Sequence, residues 1–279
     1  MSDPLLEVAL NGPWGRARQP LIPVLERNII DEGIACAREG ADIVHLHAYD
    51  EASGIPRDDW EIYARLIEGI RAEVDVPVYP TIPVAGSGFA GGVMNATDRY
   101  AHLDELASRG LVDWAVVDPG TVNFLRLDEP RDEGFTYLNP NDHIREGLSV
   151  CARHGVRPSY AIYEPGFTRL GASLAGEVAE LRQPVYRFMF SDQFAWGFPP
   201  KALYLDAHLA LLENCAPGAD WMIAGLGVDI RQLIPEALKR GGMIRVGLED
   251  APLGTATGNV EWVRQARRLM EQPSGAASS

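Results

Sequence analysis

The chain has 279 residues, 46% of them hydrophobic and 23% charged, with a formal net charge of −14. That is enough apolar stock for a folded core, and too acidic for a nucleic acid or an anionic lipid surface, since no run of Lys or Arg offsets it locally. No window reaches the apolar length of a membrane span, and MSDPLLEVAL at the N-terminus does not read as an export signal, so a cytoplasmic location is expected.

Short β-branched runs alternate along the chain with longer amphipathic stretches, the pattern of repeated βα units around a parallel sheet. The predicted strands are Leu5 to Leu10, Asp42 to His47, Val78 to Thr81, Trp114 to Asp118, Pro158 to Tyr163, Val185 to Phe190, Trp221 to Ala224 and Met243 to Leu248. Helices between them include Arg27 to Arg38, Asp59 to Ala72, Ala202 to Asn214, Arg231 to Arg240 and Val260 to Glu271. Glycines in AREGAD, ASRGLV and KRGGMI are placed to end helices in a left-handed conformation. About eight units predict an α/β fold, a (β/α)8 TIM barrel built from residues 1–272 as one catalytic domain. Residues 273–279 have no apolar anchors and are expected to fray. Cys36, Cys151 and Cys215 are odd in number and lie in helical segments, which points to buried reduced thiols rather than disulfides or metal ligands.

The connections after strands three, four and six are long and rich in Gly, Pro and aromatics: IPVAGSGFAGGVMNATD, PGTVNFLRLDEPRDEGFTYLNP and SDQFAWGFPP. In a barrel they belong to the C-terminal face, where active sites are built.

In VHLHAYD, His45 and His47 are one residue apart at the end of a strand, so the two-residue period points both imidazoles to one side. In RVGLED, strand eight sends Arg245, Gly247 and Glu249 to one side in the same way, with Asp250 just beyond. Barrel closure sets strand eight beside strand one and near strand two, which brings Glu249 to both histidines. Two imidazoles and one carboxylate are a normal set for a catalytic zinc or similar divalent ion. The plain alternatives are a packed interior His with a rim His, and a merely structural Arg245–Glu249 ion pair. His102, His143, His154 and His208 fall in helical segments and read as surface or packing residues. Amidohydrolase-type barrels, which also open on HxH, take further His from later strand ends, and strands five and six carry none.

With HLHAYDE, VDPGTVNF, YEPG, GGMIRVGLED and GNVEWV, the chain resembles the β-keto acid cleavage enzyme family over essentially the whole barrel. The resemblance implies a zinc-dependent Claisen-type exchange, in which a β-keto acid and acetyl-coenzyme A become acetoacetate and a new acyl-coenzyme A. It implies His45, His47 and Glu249 as metal ligands, Asp250 as base and Arg245 as its charged partner, and Glu164 matches a polar position lining the substrate pocket; Glu164 is next in line as base if Asp250 does not serve. Thr81, standing where the family usually has Ser, joins Thr121, Asn11 and Trp14 on the substrate side. Trp14 occupies the place of a Glu that pairs with an ammonium in the amino-substrate member, so an uncharged substrate side chain is expected here, with Phe194, Trp196 and Phe198 supplying aromatic surface. The loop after strand three departs from the family's Ser-Thr-Gly-Gly type, which leaves carboxylate recognition open. A homotetramer or other homo-oligomer is implied as well. The chemistry suits the residue types: a divalent ion can stabilise an enolate formed when a neighbouring carboxylate removes a proton. Other metal-dependent barrel hydrolases or aldolases, and a non-catalytic cupin-like β-barrel, would use similar ligands; coenzyme A dependence and helix content separate these.

Overall fold

The structure, a computed structural model, describes residues 4–85, 94–129 and 131–272. Eight parallel strands form the barrel: β1 Leu6–Ala9, β2 Ile43–Leu46, β3 Val78–Pro80, β4 Trp114–Val116, β5 Arg157–Ile162, β6 Val185–Phe190, β7 Trp221–Gly225 and β8 Met243–Val246. Their lateral order is β3-β2-β1-β8-β7-β6-β5-β4, so the first and last strands are hydrogen-bonded neighbours. The outer strands β3 and β4 lie against each other without a ladder among the described residues, and the barrel is nearly closed. This parallel, helix-covered sheet excludes the cupin-like alternative, whose sheets would be antiparallel.

Among the described residues, eight helices of six residues or more cover the sheet: α1 Glu26–Arg38, α2 Trp60–Arg71, α3 Ala96–Ser108, α4 Asn141–His154, α5 Pro165–Ala175, α6 Ala202–Cys215, α7 Ile234–Lys239 and α8 Asn259–Glu271. Their starts are chemically marked: Asp59 accepts from the Glu61 amide before α2, and Asn95 from the Asp98 amide before α3. Gly40, Gly110 and Gly241 take the left-handed conformation that the sequence predicts. Leu6, Val8, Val44, Leu46, Ile244 and Val246 alternate outward into the core shared with the helices.

Inside the barrel the same alternation points Glu7, His45, Tyr79, Arg187 and Arg245 toward one another. Registers place Glu7 opposite Arg245 and His45 opposite both Ala9 and Tyr79. The barrel therefore encloses a polar interior. Several predicted strands are cut short at their C-terminal ends, and this matters for the site. His47, Thr81, Asp118, Tyr163, Leu226 and Glu249 all stand just past the last strand residue, where their side chains turn into the mouth.

Three details differ from the sequence reading. The long connection after β4 folds into an antiparallel hairpin, Val122–Phe124 with Phe135–Tyr137, because its alternating aromatic residues pair across the sheet. The helix expected from Arg231 begins as a 3-10 turn, Arg231–Leu233, before α7. Cys36 and Cys151 are buried free thiols, whereas Cys215 is only half-buried. Of the helical histidines, His102, His143 and His208 are buried, and His154 pairs with Asp104 at 2.8 Å. No helix among the described residues is long and apolar enough to cross a membrane.

Candidate active site

The loop after β1 anchors the end of β8. Gly12 has φ +63°, and an added Cβ there would lie 2.6 Å from Glu249 Cγ, so only glycine lets that side chain lie across the turn. Gly247, at φ +138°, faces the Ala9 backbone in a space that a side chain would fill. Trp14 Nε1 donates to the Glu249 carbonyl at 2.7 Å, Gln19 Nε2 to the Leu248 carbonyl at 3.0 Å, and the Tyr49 hydroxyl to the Gly12 carbonyl. Sequence-distant segments are thus fixed before any ligand is considered.

On this frame His45 Nε2 and His47 Nε2 each lie 3.4 Å from a different oxygen of Glu249. One ligand atom from each residue can be chosen so that all lie within 4.8 Å of one another, and all three residues are buried. His47 Nε2 and Glu249 Oε2 have no hydrogen-bond partner among the described residues. Orphaned buried polar atoms of this kind are costly unless something occupies the space between them. The donor set fits a divalent cation such as zinc.

The charges argue the same way. Arg245, 1% exposed, pairs with Glu7 at 3.0 Å, Glu249 at 3.0 Å and Asp250 at 2.9 Å. Three buried carboxyl groups around one guanidinium leave two formal negative charges when all are ionised, which a divalent ion would cancel. Burial pushes Glu249 upward, yet Arg245, His47 and His45 outweigh it and hold its carboxyl well below the usual range. Burial holds His45 well below the ordinary imidazole range, in the neutral form that ligates metal. Burial also raises Asp250 to about 6, against the pull of Arg245.

A cavity of about 120 Å³ opens at this cluster. Of the residues singled out from the sequence, His45, His47, Glu249, Arg245, Thr81 and Trp14 line it. Asp250 is 2% exposed and lies outside the lining, its carboxylate gripped by Arg245 Nε and Nη2. Four expected placements differ in the structure. Asn11 does not face the cavity: it is fully buried, and its amide donates to the Pro23 and His47 carbonyls while accepting from the His47 amide. Thr121 is exposed, and its hydroxyl accepts from the Asn139 amide. Glu164 stands at the start of α5 outside the lining and accepts from the Gly197 amide at 3.2 Å. The aromatic wall is made by Phe124, Phe135, Tyr137 and Tyr163, while Phe194 and Trp196 pack behind it and Phe198 turns away to stack on Tyr204. The strand-three loop, where carboxylate recognition was left open, includes residues 86–93, outside the described residues, as are 273–279.

The sequence reading missed Glu7, Tyr79, Asp118 and Arg187. Asp118 and Arg187 line the cavity, and Tyr79 donates to Glu7 at 2.7 Å. Their signal was available: a charged residue inside LEVAL or VYRFMF must find a polar barrel interior.

The chain is 26% identical over 267 residues to the 3-dehydrocarnitine:acetyl-CoA trimethylamine transferase of Rhizobium meliloti (strain 1021), covering 90% of this chain and 84% of that one. It is 27% identical over 237 residues to the 3-keto-5-aminohexanoate cleavage enzyme of Fusobacterium nucleatum subsp. nucleatum, covering 84% and 77%. Among solved structures, the apo structure of ObcA superposes with a TM-score of 0.72 at 19% identity, over 91% of this chain but only 62% of ObcA, and supports the barrel fold alone. The family model for the beta-keto acid cleavage enzyme matches residues 4–276, and the chain belongs to that family.

Proposed function

We propose that this protein is an acetyl-coenzyme A-dependent β-keto acid cleavage enzyme, turning a β-keto acid and acetyl-coenzyme A into acetoacetate and a new acyl-coenzyme A. One arrangement carries the reading: His45, His47 and Glu249 converge from opposite ends of the chain on a small cavity with an aromatic wall, beside an Arg245-held acid. The names of the relatives, which include a 3-oxoadipate:acetyl-CoA acetyltransferase of Cupriavidus necator, support the same class.

His45, His47 and Glu249 would hold zinc, which when bound supplies Lewis acidity toward a keto oxygen. The remaining work falls to the chain. Arg245 keeps Asp250 oriented beside the ligand Glu249, and Asp250 is the base that takes the proton between the keto and carboxyl groups. Asp118, which with Glu249 supplies the carboxyl groups among the described lining residues, displaces Glu164 as the second choice of base. Trp14, Phe124, Phe135 and Tyr163 exclude water and receive the substrate side chain.

That side chain is uncharged and apolar or aromatic in this reading. Both carboxylates among the described lining residues, Asp118 and Glu249, already have cationic or N–H partners, which leaves none free for a primary ammonium. The aromatic wall favours one second reading, a trimethylammonium end held through cation–π contacts. Assembly into a homotetramer or other homo-oligomer completes the proposal, and sedimentation velocity measures it.

The test is incubation of the zinc-loaded protein with acetyl-coenzyme A and a panel of β-keto acids, with acetoacetate and acyl-thioesters read by mass spectrometry. New thioesters matched by acetoacetate are expected. Substrate loss that does not require coenzyme A would assign the site to a hydrolase or aldolase instead.

A further inference from the structure

Arg187 projects from the middle of β6 into the barrel, lines the cavity and is only 3% exposed. A guanidinium carries five N–H donors and stays charged at any ordinary pH, so a buried one normally exhausts its donors on acceptors. Arg187 does not. Its Nη2 reaches the Ser159 carbonyl at 3.5 Å and Asp118 Oδ1 at 3.6 Å, both at the outer limit of such contacts, and its Nε has no partner among the described residues.

Asp118 is poorly placed to close this gap. Its Oδ1 accepts from the Ala161 amide at 2.8 Å and its Oδ2 from the Tyr137 hydroxyl at 2.8 Å, so the carboxylate is held by other donors. Arg245, in the same interior, shows what a satisfied guanidinium looks like: Nε and Nη2 grip both oxygens of Asp250, at 2.9 and 3.0 Å. The corresponding edge of Arg187 is the one left without a strong acceptor. It belongs to a cavity-lining side chain, on the same small cavity as His45, His47 and Glu249.

We propose that Arg187 is the residue that binds the substrate carboxylate, and so makes the site select acids over neutral ketones. The planar fork matches the two oxygens of a carboxylate, and such charge-assisted pairs are the strong ones in a buried setting. The cavity, at about 120 Å³, suits a small organic acid. This rests on the β-keto acid reading above and adds the group that recognises the acid.

The experiment is calorimetric titration of the zinc-loaded protein, without coenzyme A, using acetoacetate and its neutral analogue acetoacetamide. Arg187→Met should weaken acetoacetate roughly 10- to 100-fold, while acetoacetamide changes by less than about twofold. Arg187→Lys should recover part of the loss, because it restores charge without the fork. Metal per chain should be unchanged in every variant. If removing Arg187 leaves Asp118 uncompensated and the single variant misfolds, Arg187→Met with Asp118→Asn removes both charges and permits the same comparison. The proposal is overturned by undiminished acetoacetate binding in the variant, by equal losses for acid and amide, or by a wild type that does not bind acetoacetate. The two readings fail separately: a wild type that exchanges no acyl groups refutes the proposed reaction, and the acid-against-amide comparison still decides Arg187.

Discussion

Replacing Trp14 with Phe separates two jobs that this side chain performs. The ring stacks on Phe194 with centroids 6.1 Å apart, and its Nε1–H donates to the Glu249 carbonyl at 2.7 Å. Phenylalanine preserves most of the stacked surface and deletes the donor, leaving the backbone of a proposed metal ligand without this partner. Orphaning a buried acceptor costs about 1–3 kcal/mol. If most of that falls on the orientation of Glu249, zinc affinity drops about 10- to 100-fold, the usual scale for groups that orient a ligand. At about 1.4 kcal/mol per tenfold change, the two estimates agree. Competition with a chromophoric chelator measures the affinity, and a melting curve should show a loss of a few degrees, at about 2–4 °C per kcal/mol for a chain near this size. Unchanged zinc affinity in a folded Trp14→Phe protein would refute the idea that the β1 loop positions the metal ligand. The hydrogen bond also changes how Trp14→Glu must be read. That variant adds a carboxylate near Glu249 and deletes the N–H together, so any shift in substrate preference would mix specificity with metal geometry.

Metal analysis of His45→Ala and Glu249→Ala should show far less than the one divalent ion per chain expected for the wild type; full occupancy in both would remove the proposed site. Asp250→Asn should keep metal and fold and lose about 10²- to 10⁴-fold in turnover, the contribution of a positioned base; near-normal rates would transfer the role to Asp118. His208 is stacked on Phe188 at 4.5 Å, neither ring nitrogen has a partner among the described residues, and burial lowers it to about 4. Because that value is depressed below the unfolded one near 6.5, the unfolded chain binds the extra proton first. Stability is therefore full above about pH 6.5 and is lost as pH falls toward 4, by up to about 3 kcal/mol. His208→Phe should melt with less acid sensitivity between pH 7 and pH 4.5, and an equal loss in both proteins would show that another group carries it.

The order of strands and helices, the barrel, and the meeting of His45 and His47 with Glu249 were legible in the sequence. Each rests on a local period: alternation along a strand decides which side chains share a face, and regular βα repetition fixes which strands become neighbours. What could not be read was the partner of each polar group beyond those strand ends. Asn11, Thr121 and Glu164 look like site residues by type and place, yet their side chains bond to backbone amides and carbonyls far away in the chain. Asp118 and Arg187 belong to no motif in the sequence, and their place on the cavity follows from the closure of the barrel around them. Hydrogen-bond partners and burial are properties of the packed chain, set by contacts between residues as distant as Trp14 and Glu249. Periodicity can point a side chain inward, but only the tertiary structure decides whether its donors are already satisfied there or are left facing the cavity.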